Sequence, residues 1–114
     1  MDEVGRGSRV FAAAPVRGRW TPLSSPDEVI ALADEDRATD AVAFVDDAGA
    51  TFLTLVFEDL RAVVCRSGTT LSHIAIVGRE MGVPCIVGTT FDREPDAGAE
   101  VEIDCSDAEG VIRA

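Results

Sequence analysis

The chain has 114 residues, 46% of them hydrophobic and 27% charged, the proportions of an ordinary globular domain. They exclude a disordered chain, a fibrous repeat and two independent domains, so one domain over residues 1–114 is expected. All ten basic residues are arginine, and lysine and tyrosine are absent, which rules out a phosphate-binding P-loop lysine, a Schiff-base lysine and a tyrosine acid. The 21 carboxylates bring the net charge to −11, a sign that opposes nucleic-acid backbones and anionic membranes and leaves a protein or a small molecule as partner. Cys65, Cys85 and Cys105 form no CxxC pair and stand beside a single histidine. They read as reduced, buried thiols in a cytoplasmic protein, neither a disulfide framework nor a zinc site. Residues Met1–Arg6 lack a basic region followed by an apolar run, and no apolar stretch approaches the ~20 residues that span a bilayer.

In chain order, Arg9–Ala14 and Val16–Trp20 suggest two short strands joined at Pro15, with Gly18 at a bulge or a close approach. Ser25, Pro26 and Glu28 form a capping-box signal ahead of a helix whose buried face is Val29, Ile30, Leu32 and Ala33. Ala41–Val45 reads as a buried strand that ends in the turn Asp46-Asp47-Ala48-Gly49. The spacing of Leu53, Val56, Phe57 and Leu60 predicts a short helix over 51–60. Ala62–Cys65 is a further strand, leading through the polar loop 66–72 into a helix with Ile74, Val77 and Met81 on one face and Gly82 as its stop. A strand over Pro84–Val87 follows, and Val101–Asp104 with Gly110–Ile112 predicts a closing hairpin. Alternating strands and helices with short links predict an α/β fold, a β/β/α sandwich on a partly parallel central sheet.

His73 is the one side chain whose unperturbed pKa lies near neutrality, and it falls at the junction of loop and helix. Unpaired N–H groups and the positive end of the helix dipole favour an anion there by about 0.3–1 kcal/mol. Gly68 lets backbone approach closely, and Thr69, Thr70 and Ser72 supply hydroxyls, so a phosphoryl group fits. An unprotonated imidazole nitrogen can attack phosphorus and pass the group on. A surface or capping histidine beside helix-capping hydroxyls would look the same. Ser72 beside His73 lacks the GxSxG elbow of a serine hydrolase. Arg79, six residues on, lies about 240° around the helix, where a salt bridge or a carbonyl clamp near the helix C-terminus is the simpler role. Arg61 and Arg66 flank the loop, where an incoming phosphate would pass.

The run from Gly68 to Thr89, Gly-Thr-Thr-Leu-Ser-His followed by a helix with Arg79, then Gly82-Val83-Pro84 and Val87-Gly88, closely resembles the signature of the phosphohistidine swivelling domain. This is the mobile domain of phosphoenolpyruvate-utilising enzymes, among them phosphoenolpyruvate synthase, pyruvate phosphate dikinase, enzyme I of the sugar phosphotransferase system and rifampicin phosphotransferase. Val16-Arg17-Gly18 and Val101–Ile112 resemble the family's early and closing strands, so the resemblance covers most of the chain. It implies that His73 is the phosphorylated histidine, Ser72 its preceding serine, Gly68 the first loop glycine and Arg79 the helix arginine. Two positions depart from the pattern: Thr69 replaces the second loop glycine, and Leu71 replaces the threonine two before the histidine.

In the family this domain shuttles a phosphoryl group between separate sites. The resemblance therefore implies a phosphocarrier that binds no cofactor or metal itself and is not active alone. ATP or phosphoenolpyruvate, with Mg2+, is expected on ATP-binding or phosphoenolpyruvate-binding partner subunits, and a small molecule is the expected acceptor. A phosphoenolpyruvate barrel alone needs about 250 residues. The other reading is a non-catalytic regulatory or assembly module that keeps the fold.

Overall fold

A computed structural model of the chain describes residues 1–49 and 51–114. Seven strands, β1 (Glu3–Arg9), β2 (Ala13–Pro22), β3 (Ala41–Val45), β4 (Ala62–Cys65), β5 (Cys85–Phe91), β6 (Glu100–Cys105) and β7 (Gly110–Arg113), close into a barrel in the order β1-β5-β4-β3-β2-β6-β7. Strands β2, β3, β4 and β5 are mutually parallel neighbours, and the remaining pairs are antiparallel. The domain is thus α/β with a partly parallel sheet, as expected, but the sheet closes on itself and does not form a clear sandwich. Reciprocal hydrogen bonds of 2.9 Å between the backbones of Asp2 and Ala114 bring the two ends of the described structure side by side.

Two cores follow from the alternation of side chains along the strands. Val42 and Phe44 of β3, Val64 of β4 and Ile86 of β5 point to one cluster with Trp20, Ile103 and Ile112, the barrel interior. Ala43 and Val45, Val63 and Cys65, Cys85 and Val87 point the other way, against α1 (Pro26–Asp34) and α2 (His73–Met81). Both faces of β3, β4 and the start of β5 are buried, which is why these segments read as unbroken apolar runs.

Several sequence expectations shift. The first strand is Glu3–Arg9, and Pro15 lies inside β2, not between strands. It is tolerated because the β2–β6 register shifts between Ala13 and Val16, so a residue without an N–H sits in a bulge. Gly18 makes a close approach: a Cβ there would lie 2.7 Å from the Asp40 carbonyl oxygen. Residues 51–60 form turns and a single 3-10 turn at Phe57–Asp59, not an α-helix, although Leu53, Val56, Phe57 and Leu60 are all buried. In α1 the capping box holds, with Ser25 Oγ accepting from Glu28 N, but Ile30 faces solvent. In α2 the buried face is Ile74, Ala75 and Gly78, and Met81 is exposed. The last strand before the tail runs to Phe91, well beyond Val87, and β6 and β7 pair as the predicted hairpin. Among the described residues no helix is long and apolar enough to cross a membrane.

Candidate functional site

The loop between β4 and α2 is held by two neighbouring segments. Just after β3, the Asp46 carbonyl accepts from Ser67 Oγ at 2.8 Å and Ala48 N donates to that hydroxyl at 3.3 Å. From β5, Gly88 N donates to the Ser67 carbonyl at 3.1 Å. From the turn after β3, the Ala48 carbonyl accepts from Ile74 N at 3.0 Å, taking up one of the N–H groups that open α2. Gly68 has φ +98°, a conformation that disfavours any side chain, and a Cβ there would collide with the Ala48 Cβ and approach Ser72 Oγ to 2.9 Å.

Within the loop Thr69 is the organising residue. Its N–H donates to Ser72 Oγ at 2.9 Å, its carbonyl accepts from Ser72 N at 3.0 Å, and its hydroxyl accepts from Leu71 N at 3.2 Å. A threonine in the place of the resembling family's second glycine therefore fits the loop, closing a tight turn over 69–72. Ser72 is the N-cap residue of α2 by its extended backbone, yet its hydroxyl makes no capping bond because it faces back to Thr69. His73 is the first helical residue and is exposed. The N–H groups of His73 and Ala75 donate to no acceptor among the described residues, so the helix begins with free donors beside the imidazole.

The candidate residues divide. Gly68, Thr69, Thr70, Ser72 and His73 are contiguous and form one loop. Arg79 reaches back from the last turn of α2, with Nη2 donating to the Thr70 carbonyl at 2.7 Å. This is a carbonyl clamp, but on the loop and not at the helix C-terminus. Arg66 turns elsewhere: it donates to Asp46 at 2.9 Å and Glu94 at 2.8 Å, and its guanidinium lies over the Phe44 and Phe91 rings at 5.1 and 5.6 Å. The paired carboxylates raise its pKa further, so its charge is already compensated. Leu71 is 80% exposed, next to the histidine. No cluster of three metal-ligating side chains exists among the described residues. Ala48, Ser67 and Gly88 are the positions that residue chemistry alone does not announce, since they act mainly through backbone groups.

The chain matches the family of the PEP-utilising enzyme mobile domain over residues 26–108 and belongs to it. It is similar to the phosphoenolpyruvate synthase of Aquifex aeolicus (strain VF5), 38% identical over 55 residues, which are 47% of this chain and 6% of that protein. It is also similar to an uncharacterised phosphotransferase, YvkC, of Bacillus subtilis (strain 168), 44% identical over 36 residues, which are 32% of this chain and 4% of that protein. The matched segments are a small fraction of the length of both relatives.

Proposed function

We propose that this chain is a phosphoryl carrier in which His73 accepts a phosphoryl group and passes it to a small-molecule acceptor. The observation that carries the reading is the position of His73: exposed, first in α2, at a helix start where the N–H groups of His73 and Ala75 have no acceptor among the described residues. Family membership and the relatives' names, a synthase and a phosphotransferase, support phosphoryl chemistry of this kind. The ring nitrogen that carries no proton attacks phosphorus, the bond from phosphorus to the donor's leaving oxygen breaks, and that oxygen keeps the electron pair. In the second step the acceptor's hydroxyl oxygen attacks phosphorus, the N–P bond breaks with its electron pair returning to the imidazole, and the hydroxyl proton passes to solvent. The helix N-terminus and the loop stabilise the added negative charge, with free N–H groups as ready donors.

On this reading the donor, ATP or phosphoenolpyruvate, is bound with Mg2+ by separate ATP-binding or phosphoenolpyruvate-binding partners, and this chain binds neither. The domain swivels between their sites, and Leu71 lies on the face that meets them. The test is intact-mass measurement of the chain after incubation with such partners and either donor. An acid-labile phosphoryl adduct that is lost in His73→Ala is expected. Its absence with both donors would leave the domain as a regulatory or assembly module instead.

A further inference from the structure

Arg79 is set apart from most arginines in the chain. Arg6, Arg17, Arg19, Arg37, Arg66 and Arg113 are each ion-paired with a carboxylate. Among the described residues Arg79 has no carboxylate partner, and its hydrogen bond goes to the carbonyl of Thr70, nine residues earlier. Side chains on a helix lean toward its N-terminus, so an arginine in the last turn can run back along α2 toward the loop that precedes it. The base of this arm is fixed. Next to it, Gly78 packs so closely on Cys85 of β5 that an added Cβ would collide with Sγ, which seats α2 on the sheet at that point.

Thr70 lies between the two ends of the Thr69–Ser72 turn. That turn holds itself closed with three short internal bonds, and its last residue is held to α2 by Ile76 N, which donates to the Ser72 carbonyl at 3.0 Å. The Arg79 bond adds a second tie, at Thr70 inside the turn, to the same helix that presents His73. From this geometry we infer that Arg79 is a positioning residue for transfer at His73, acting through the Thr70 carbonyl and making no contact with the phosphoryl group. The inference rests on the phosphocarrier reading above. A charge-assisted bond to a carbonyl is among the stronger hydrogen bonds a side chain makes. Losing it loosens the turn at Thr70, beside the helix start that carries His73, and shifts the loop from the geometry of transfer.

The test needs no partner protein. Phosphoramidate phosphorylates imidazole directly: an N–P bond to the ring forms, the P–N bond to the amino group breaks, and the departing nitrogen takes a proton to leave as ammonia. Phosphohistidine formation on the full chain is followed by 31P NMR, with His73→Ala as the blank. Amide hydrogen exchange of Leu71 and Ser72 is measured in the same variants without any donor. Arg79→Met, which keeps an unbranched apolar stem and loses donor and charge, is expected to slow transfer on the order of tenfold, the factor a lost charge-assisted bond gives. It should also speed exchange at Leu71 and Ser72, and Arg79→Lys should recover most of both. The wild-type to Arg79→Met rate ratio should persist in ~1 M salt, because a direct bond is screened far less than a bare charge. An unchanged transfer rate, slowed transfer with unchanged exchange, or a ratio that collapses in salt would each overturn the inference. If the wild-type chain gives no phosphohistidine, the phosphocarrier reading fails separately. The exchange comparison then still decides the clamp, and unchanged exchange in Arg79→Met overturns it.

Discussion

The Sγ atom of Cys85 occupies the space that a side chain at Gly78 would need. Helix α2 can approach β5 this closely only because position 78 has no Cβ. Gly78→Ala gains up to ~1 kcal/mol of helix propensity but forces the helix away from the sheet, and overpacking of this kind costs about 1–3 kcal/mol. A net loss of stability is expected in urea unfolding. Cys85→Ala in the same chain should return part of it, since the colliding atom is then gone. A Gly78→Ala chain as stable as wild type would show that the contact relaxes without cost.

Gly68 combines a φ of +98° with contact to Ala48. Gly68→Ala pays both backbone strain and collision, about 1–3 kcal/mol for the strained backbone alone. Because the segment under strain leads directly to His73, we expect phosphohistidine formation to fall more than global stability does. Comparing the transfer rate with the urea midpoint checks this, and proportional losses would contradict it.

The Ser106 hydroxyl and N–H, followed by the Arg113 guanidinium, hold the Asp104 carboxyl at about 2. An ordinary aspartate titrates near ~3.9. A carboxyl whose pKa is lowered by folding adds stability that is fully present above its unfolded value and lost as pH falls through its folded value. Asp104→Asn should therefore be less stable than wild type at neutral pH. The difference should shrink between about pH 4 and pH 2 and vanish below that. Urea unfolding at three pH values measures it, and a gap that stays constant down to pH 2 would refute the assignment.

Burial, aided by nearby acidic charge from Asp47 and Asp104 respectively, pushes the Cys65 thiol up to about 12 and the Cys105 thiol to about 11. Burial raises Cys85 as well. All three are free and buried. An aromatic disulfide reagent at about pH 8, near the unperturbed thiol pKa, should react with none of them in the native chain and with all three in urea. Raised thiol pKa values also mean that this contribution to stability holds below ~8.5 and declines as pH rises above it. Rapid native labelling of any one thiol would show that its strand opens.

Much of the fold was legible because apolar runs and caps carry it. Ala41–Val45 and Ala62–Cys65 announce buried strands, and Ser25 with Glu28 announces α1. The glycine loop leading to His73 announces the candidate site. Strand β1 was hidden because its close neighbours remove its side chains: a Cβ at Gly5 would lie 2.8 Å from the Phe91 ring, and one at Gly7 would lie 2.7 Å from the Val87 carbonyl. What remains is a polar stretch with Val4 as its only buried large residue. Residues 51–60 misled in the opposite way. Their apolar residues at helical spacing are all buried, but successive turns bury them as well as a helix would. The support of the His73 loop by Ala48 and Gly88 runs through a carbonyl and an N–H, groups every residue carries, so no side-chain pattern marks it.

The paired backbones of Asp2 and Ala114 complete the ring of strands, with β7 returning to β1. The order of the chain around this barrel is therefore arbitrary at that seam. A few flexible residues can join position 114 to position 1, and new ends can be opened in the exposed 106–109 turn between β6 and β7 without cutting a strand. Such a circular permutant should fold with its His73 loop unchanged. It would also move the points of attachment to a different place on the barrel, so the orientation of His73 relative to anything fused to the chain can be set by choice of seam.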